Sequence, residues 1–221
     1  MPPDWLTMLA KLSLLLGFAC AVILVIDILA GHPQKMAVMN VTWAVTALYL
    51  GPLALWAYFA FGQAAKEGGD APAKPFWQSV IIGVTHCGGG CTVGDVIAEW
   101  VVFGLGWTIA GIALWPEDIA SFVLAYLFGI AFQYFAIVPM RHLSPGEGLK
   151  AAVKADTLSL IAYEIGMFVW MSIVYFRLFH PHLTPTLPVY WFMMQIAMVI
   201  GFVTAYPMNW WLINKGIKEA M

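Results

Sequence analysis

The sequence predicts an all-α integral membrane protein, a six-helix transmembrane bundle with both termini in the cytoplasm. Three observations predict it. Of 221 residues, 62% are apolar and only 10% charged, with a mean hydropathy of +0.84. A soluble domain carries about 25% charged residues. The chain also breaks into apolar runs of membrane-crossing length, and its cations gather in alternate connections.

So few charges could not coat a water-soluble surface, which excludes a soluble enzyme and a disordered chain. Ten Lys and Arg against twelve Asp and Glu give a net charge of -2. No basic patch exists for nucleic acid. Cys20, Cys87 and Cys91 allow at most one disulfide, so this is no disulfide scaffold.

A crossing helix needs about 20 mostly apolar residues. The runs are 5–30, 37–61, 76–115, 119–140, 155–179 and 189–213, and they form one domain, 1–221. The first resembles a signal peptide in length only. Asp4 precedes the first cation, Lys11, and no small-x-small cleavage site follows, so a retained helix is expected. Turn chemistry separates the runs: Gly31-His32-Pro33, Gly68-Gly69-Asp70 with Pro72 and Pro75, Pro116-Glu117-Asp118, Ser144-Pro145-Gly146, and Pro181 with Pro185 and Pro188.

Lys66, Lys74, Arg141, Lys150, Lys154, Lys215 and Lys218 fall in alternate connections and the tail, with Lys35 the one exception. The positive-inside rule then gives six crossings in the cytoplasmic (inner) membrane, with both ends inside. Trp5, Trp77, Trp115, Trp191, Trp210 and Trp211 sit near run ends, as an interfacial belt would.

The third run is the anomaly. Its length corresponds to about 60 Å of helix, twice what the bilayer needs. A kink, a tilt or a re-entrant start is expected. Its interior reads Thr85-His86-Cys87-Gly88-Gly89-Gly90-Cys91-Thr92-Val93-Gly94-Asp95, followed by Glu99. Three glycines weaken a helix by about 1 kcal/mol each relative to alanine. They allow either an unwound segment or a tight helix crossing.

If the helix continues, Cys87, Cys91, Asp95 and Glu99 form one i, i+4 stripe and His86 points about 100° away. If it breaks, His86, Cys87 and Cys91 converge. Thiols and imidazole are soft-to-borderline donors suited to Cu or Zn. The competing account makes both cysteines small packing residues.

Charges inside a bilayer are functional candidates. Asp95, Glu99 and Glu164 qualify, whereas interfacial solvation explains Asp27. Counting from expected span starts, Glu99 and Glu164 meet at similar depth and share a proton when empty. Tyr163, Thr157 and Ser159 are possible partners of the carboxyls. Met167, Met171, Met194 and Met198 read as packing, with Gly201, Ala205 and Met208 completing a seam. His32, His180, His182, Met36 and Met39 read as loop residues, and His142 beside Arg141 as interfacial.

Residues 85–100, 154–160, 164–167 and 190–211 together resemble a family of bacterial multi-span membrane proteins classed only as a domain of unknown function. The resemblance covers about residues 76–221, and its His-Cys-Gly-x-Gly-Cys core is fairly specific. It implies a helical membrane protein and brings no activity with it.

The expected function is transport or binding of a soft transition-metal ion. Its metal ligands would come from His86, Cys87, Cys91, Asp95, Glu99 and Glu164. The ion itself, Cu or Zn, is the only cofactor expected. The alternatives are an oligomeric cation channel with residues 88–94 as an unwound filter, an intramembrane thiol enzyme with His86 activating Cys87, and an assembly subunit without chemistry. Expected partners are the lipid bilayer, a small ion and further copies of the chain.

Overall fold

The computed structural model describes residues 2–64 and 74–219. Lys66 and the turn at Gly68, Gly69, Asp70 and Pro72 lie outside the described residues. The elements are α1 Asp4–Leu29, α2 Ala37–Leu50, α3 Pro52–Ala57, α4 Phe76–Leu105, α5 Leu114–Arg141, α6 Pro145–Ile173 and α7 Pro188–Asn214. Single π-helical turns extend α3 over Tyr58–Gly62 and α6 over Val174–Leu178. Five of these helices are long and apolar enough to cross a membrane: α1, α4, α5, α6 and α7.

The expected second span, 37–61, is not one helix. α2 stops at Gly51, whose φ of +54° and ψ of −124° suit glycine alone. Pro52, which cannot donate to a preceding turn, starts α3. The chain then reverses. Trp43 and Tyr58 would lie about 22 Å apart on one continuous helix, yet their rings are 5.4 Å apart, edge to face. Gly62 also packs directly under the Trp43 ring. Residues 37–63 therefore form a helical hairpin that enters and leaves at one end of the bundle.

That end can be traced by contacts. The hairpin returns to the end of α1, where Asp27 accepts hydrogen bonds from Tyr58 (2.9 Å) and Gln63 (2.8 Å). Phe61 meets Trp77 at the start of α4 (5.4 Å), and Phe76 meets Trp210 at the end of α7 (4.7 Å). Arg141, closing α5, donates to Glu219. We call this the lower end. The start of α1, the 106–113 connection and the 179–187 loop form the upper end. α1 and α7 run parallel, tied by Ser13 donating to Gln195 (2.8 Å).

The hairpin tip breaks backbone hydrogen bonding midway between the two ends of the bundle. An orphaned carbonyl there costs free energy unless protein satisfies it. The Leu48 carbonyl accepts from the Gln195 amide at 2.6 Å.

The third span ends earlier than expected. Gly106, left-handed at φ +62°, stops α4 at Leu105. A short non-helical stretch follows, with Ile109 and Ile112 exchanging backbone hydrogen bonds. α5 then starts at Leu114 rather than 119. α6 starts at Pro145, not 155, because Ser144 and Glu147 form a reciprocal capping box.

Through the three glycines α4 remains helical, so the unwound alternative does not occur. Each glycine admits a different neighbour within one turn. A Cβ on Gly88 would sit 3.0 Å from the Tyr163 ring of α6 and 3.0 Å from the Tyr49 hydroxyl. On Gly89 it would overlap Thr42 of the hairpin, and on Gly90 the backbone of Gly129 in α5. α4 is thus the central helix, pressed from three sides at its midpoint.

Candidate intramembrane binding site

The continuous helix decides which predicted residues share a face. Cys87, Cys91 and Asp95 follow one another at i, i+4 on α4, and all three are fully buried. From α6, Glu164 stands near Cys91 and Asp95. Tyr163, also on α6, and Tyr49, at the hairpin tip, close the same chamber from two sides. The Tyr49 hydroxyl lies near both thiols, and that of Tyr163 near Cys91.

The chamber's hydrogen bonding is incomplete. Both carboxyl oxygens of Asp95, both of Glu164, Thr92 Oγ1, Thr46 Oγ1 and the hydroxyls of Tyr49 and Tyr163 are buried without a hydrogen-bond partner. Buried polar groups are normally satisfied, and a bilayer supplies no water to do it. The donor set is two thiols, two carboxyls and two phenols, near the midpoint of the 30-residue α4. Among the described residues, no three His, Cys, Asp or Glu side chains already stand in metal-holding geometry. An ion bound here would have to draw the donors inward.

A cavity of about 320 Å³ adjoins the chamber on the upper side of the hairpin tip. Tyr49 and Thr92 belong to both. Its walls are α1, α4 and α7, with Trp100 and Trp191 stacked toward the upper end (5.9 Å). The hairpin fills the lower half of the space between these helices, and the cavity occupies what it leaves above.

Two predicted ligands lie elsewhere. His86 sits on another face of α4, as a continuous helix requires. The polar groups that reach it are Gln133, Asp156 and Lys218. Glu99 accepts a hydrogen bond from the Tyr190 hydroxyl and lies near Glu117 and Asp118 at the start of α5. Glu164 thus stands level with Cys91 and Asp95, not with Glu99. The expected pairing placed the membrane-embedded part of α4 from Thr92 and α6 from Lys154. α4 begins sixteen residues earlier, at Phe76, and α6 nine earlier, at Pro145, and this unequal shift brings Glu164 level with Asp95.

Residues 76–218 match a family model described as a domain of unknown function (DUF4396). The chain belongs to that family. The DUF4396 region comprises α4 through α7 and ends at the buried Lys218. α1 and the helical hairpin precede it, so Tyr49 and Thr46 reach the chamber from outside the DUF4396 match. No curated protein and no solved structure matches the chain significantly.

The remaining predicted residues are structural. Asp27 is clipped by Tyr58, Gln63 and His32 (3.3 Å). His182 stacks on Tyr175 at 3.8 Å. Met167, Met171, Met194 and Met198 are core residues, and Gly201 touches the Tyr163 carbonyl across the α6–α7 seam. The sequence reading missed Tyr49, Thr46, Thr92, Gln133, Asp156 and Lys218. A signal existed for the hairpin pair in Gly51-Pro52, a turn dipeptide inside an apolar run. Another existed for Asp156, because the Ser144-x-x-Glu147 box puts it inside α6.

Proposed function

We propose that the protein carries a soft transition-metal cation, of the copper or zinc class, across the cytoplasmic membrane. The ion is held at mid-depth by Cys87, Cys91, Asp95 and Glu164. One observation carries the reading: four buried carboxyl oxygens without a partner stand beside two thiols, next to a cavity at the hairpin tip. A cation compensates ionised carboxyls, and thiolates select a soft one. Tyr49 and Thr92 stand between cavity and chamber, where a gate belongs. Residues 88–94 stay helical, which argues against a carbonyl-lined filter there. His86 faces Gln133 and Asp156, which argues against its acting as a base for Cys87.

The proposed topology has five crossings and one re-entrant hairpin, with the lower end cytoplasmic. Lys35, the exception under six crossings, then joins Lys74, Arg141, Lys150, Lys154, Lys215 and Lys218 on one side. Among the described residues, only Lys11 and Arg177 lie toward the other. The start of the chain is external and the segment after α7 internal.

Metal content of the purified protein tests the cargo. Wild type binds about one equivalent of Cu(I), Ag(I) or Zn(II) at micromolar free metal. Cys87→Ser, Cys91→Ser and Glu164→Gln each weaken binding by roughly tenfold or more, about 1.4 kcal/mol or above. Thiols lose protons to the metal, so occupancy rises with pH. Wild type that stays empty of all three metals across neutral pH sinks the reading. His86→Ala and Glu99→Gln, outside the chamber, leave affinity within about threefold.

A further inference from the structure

The segment after α7 ends in an unusual burial. Gly216, at φ +64°, turns the chain back, and the amides of Ile217 and Lys218 both donate to the Leu212 carbonyl. Arg141 anchors the next residue, Glu219. Held between these points, Lys218 threads its side chain into the lower end of the bundle. Its Nζ donates to Asp156 Oδ1 at 2.7 Å, and neither side chain has any exposed surface.

An ammonium has three N–H groups to place, and this one closes a single hydrogen bond. Near it stand buried acceptors that lack a partner, Asp156 Oδ2 and Asn209 Oδ1, with Gln133 Oε1 beside His86. Asn209 Oδ1 and Lys218 Cε flank the same point, at 3.8 and 4.0 Å from where a Gly83 Cβ would be. His86, one turn farther along α4, has both ring nitrogens free. The donors come from α4, α5, α6 and α7, so the cluster is built by four helices together. A buried ion pair is poor value as a stabiliser, because desolvation offsets its attraction.

We propose that Asp156, Gln133, Asn209 and His86 form a second cation site at the lower end, for a small monovalent cation. Lys218 is its tethered occupant. The oxygen-rich donor set fits an ammonium or alkali ion rather than the soft cargo of the thiol chamber. The tail acts as a plug that a free cation displaces. This assignment stands whether or not the chamber binds metal.

Chemical rescue tests it on the full-length protein in detergent. Lys218→Ala melts several degrees below wild type. Ethylammonium chloride, titrated against choline chloride at constant ionic strength, restores most of the loss and saturates. Sodium and potassium arms tell an alkali site from an ammonium site, and saturable rescue by either also supports the proposal. Adding Asp156→Asn abolishes the response. If Lys218→Ala does not survive extraction alone, it is recovered folded in ethylammonium or an alkali salt and not in choline. A variant that no small cation stabilises more than it stabilises wild type, or that none recovers, overturns the assignment.

Discussion

Glycine use along α4 is a statement about distances between backbones. Gly90 and Gly94 face Gly129 and Ala125 of α5, and a Cβ on Gly94 would stand 2.3 Å from the Ala125 nitrogen. Backbone cannot step aside as a side-chain tip can. Gly94→Ala is therefore expected to destabilise by about 1–3 kcal/mol through overpacking, read as a lower melting temperature in detergent. Gly83→Ala is the contrast. Its Cβ meets nothing closer than 3.8 Å, so relief of the helix penalty stabilises by up to about 1 kcal/mol. Equal effects at the two positions would contradict the crossing. The sequence was legible here to a degree. Cys87, Cys91 and Asp95 could be put on one stripe from spacing alone. Whether the glycines meant unwinding or approach could not, because Gly supports both, and only the identity of the neighbours (Tyr163, Thr42, Gly129) separates them.

At the scale of elements, hydropathy reports that a segment is apolar and not how often it reverses. Residues 37–61 have crossing length and composition, yet Gly51 and Pro52 turn them into two short helices. Apolar length also overstates the helix at 76–115, where a left-handed Gly106 ends α4 well before the apolar run does. The α5, α6 and α7 runs were read as helices, with starts misplaced by one to ten residues because interfacial first turns carry charge and look like loop. The hairpin depends on Gln195, whose amide donates to the Leu48 carbonyl and whose oxygen accepts from Ser13. Gln195→Leu leaves that carbonyl unsatisfied, at a cost of about 1–3 kcal/mol. Thermal unfolding measures it, and Ser13→Ala alone should cost less, since it leaves the tip contact in place. A Gln195→Leu protein as stable as wild type would mean the tip finds another donor.

For the whole molecule, the arrangement of ends is the strongest claim and the easiest to check. Single cysteines at Gln34, Gln63 and Lys215, in a background lacking the native three, should label from one side of the membrane with an impermeant thiol reagent. Cysteines at Pro3, Thr108 and Thr184 should label only from the other. Gln34 and Gln63 on opposite sides would restore a full second crossing and remove the hairpin. The site was less legible than the fold for a reason of the same kind. His86 and Glu99 are one residue and two turns from Cys87 and Cys91 in the chain, yet different neighbours claim them: Gln133 and Asp156 for one, Tyr190 for the other. Proximity along a helix specifies a direction, and the partner helices decide what stands there.

The odd number of crossings in the proposed topology has a practical corollary for protein engineering. The first helix opens at one pole of the bundle and the tail turns back at the other, so no linker could join the two without itself threading the hydrocarbon. Circular permutation is closed to this scaffold, whereas cutting it between the hairpin and α4 divides it into two pieces whose new ends emerge together. Co-expression of residues 1–64 with 74–221 is the division the architecture permits.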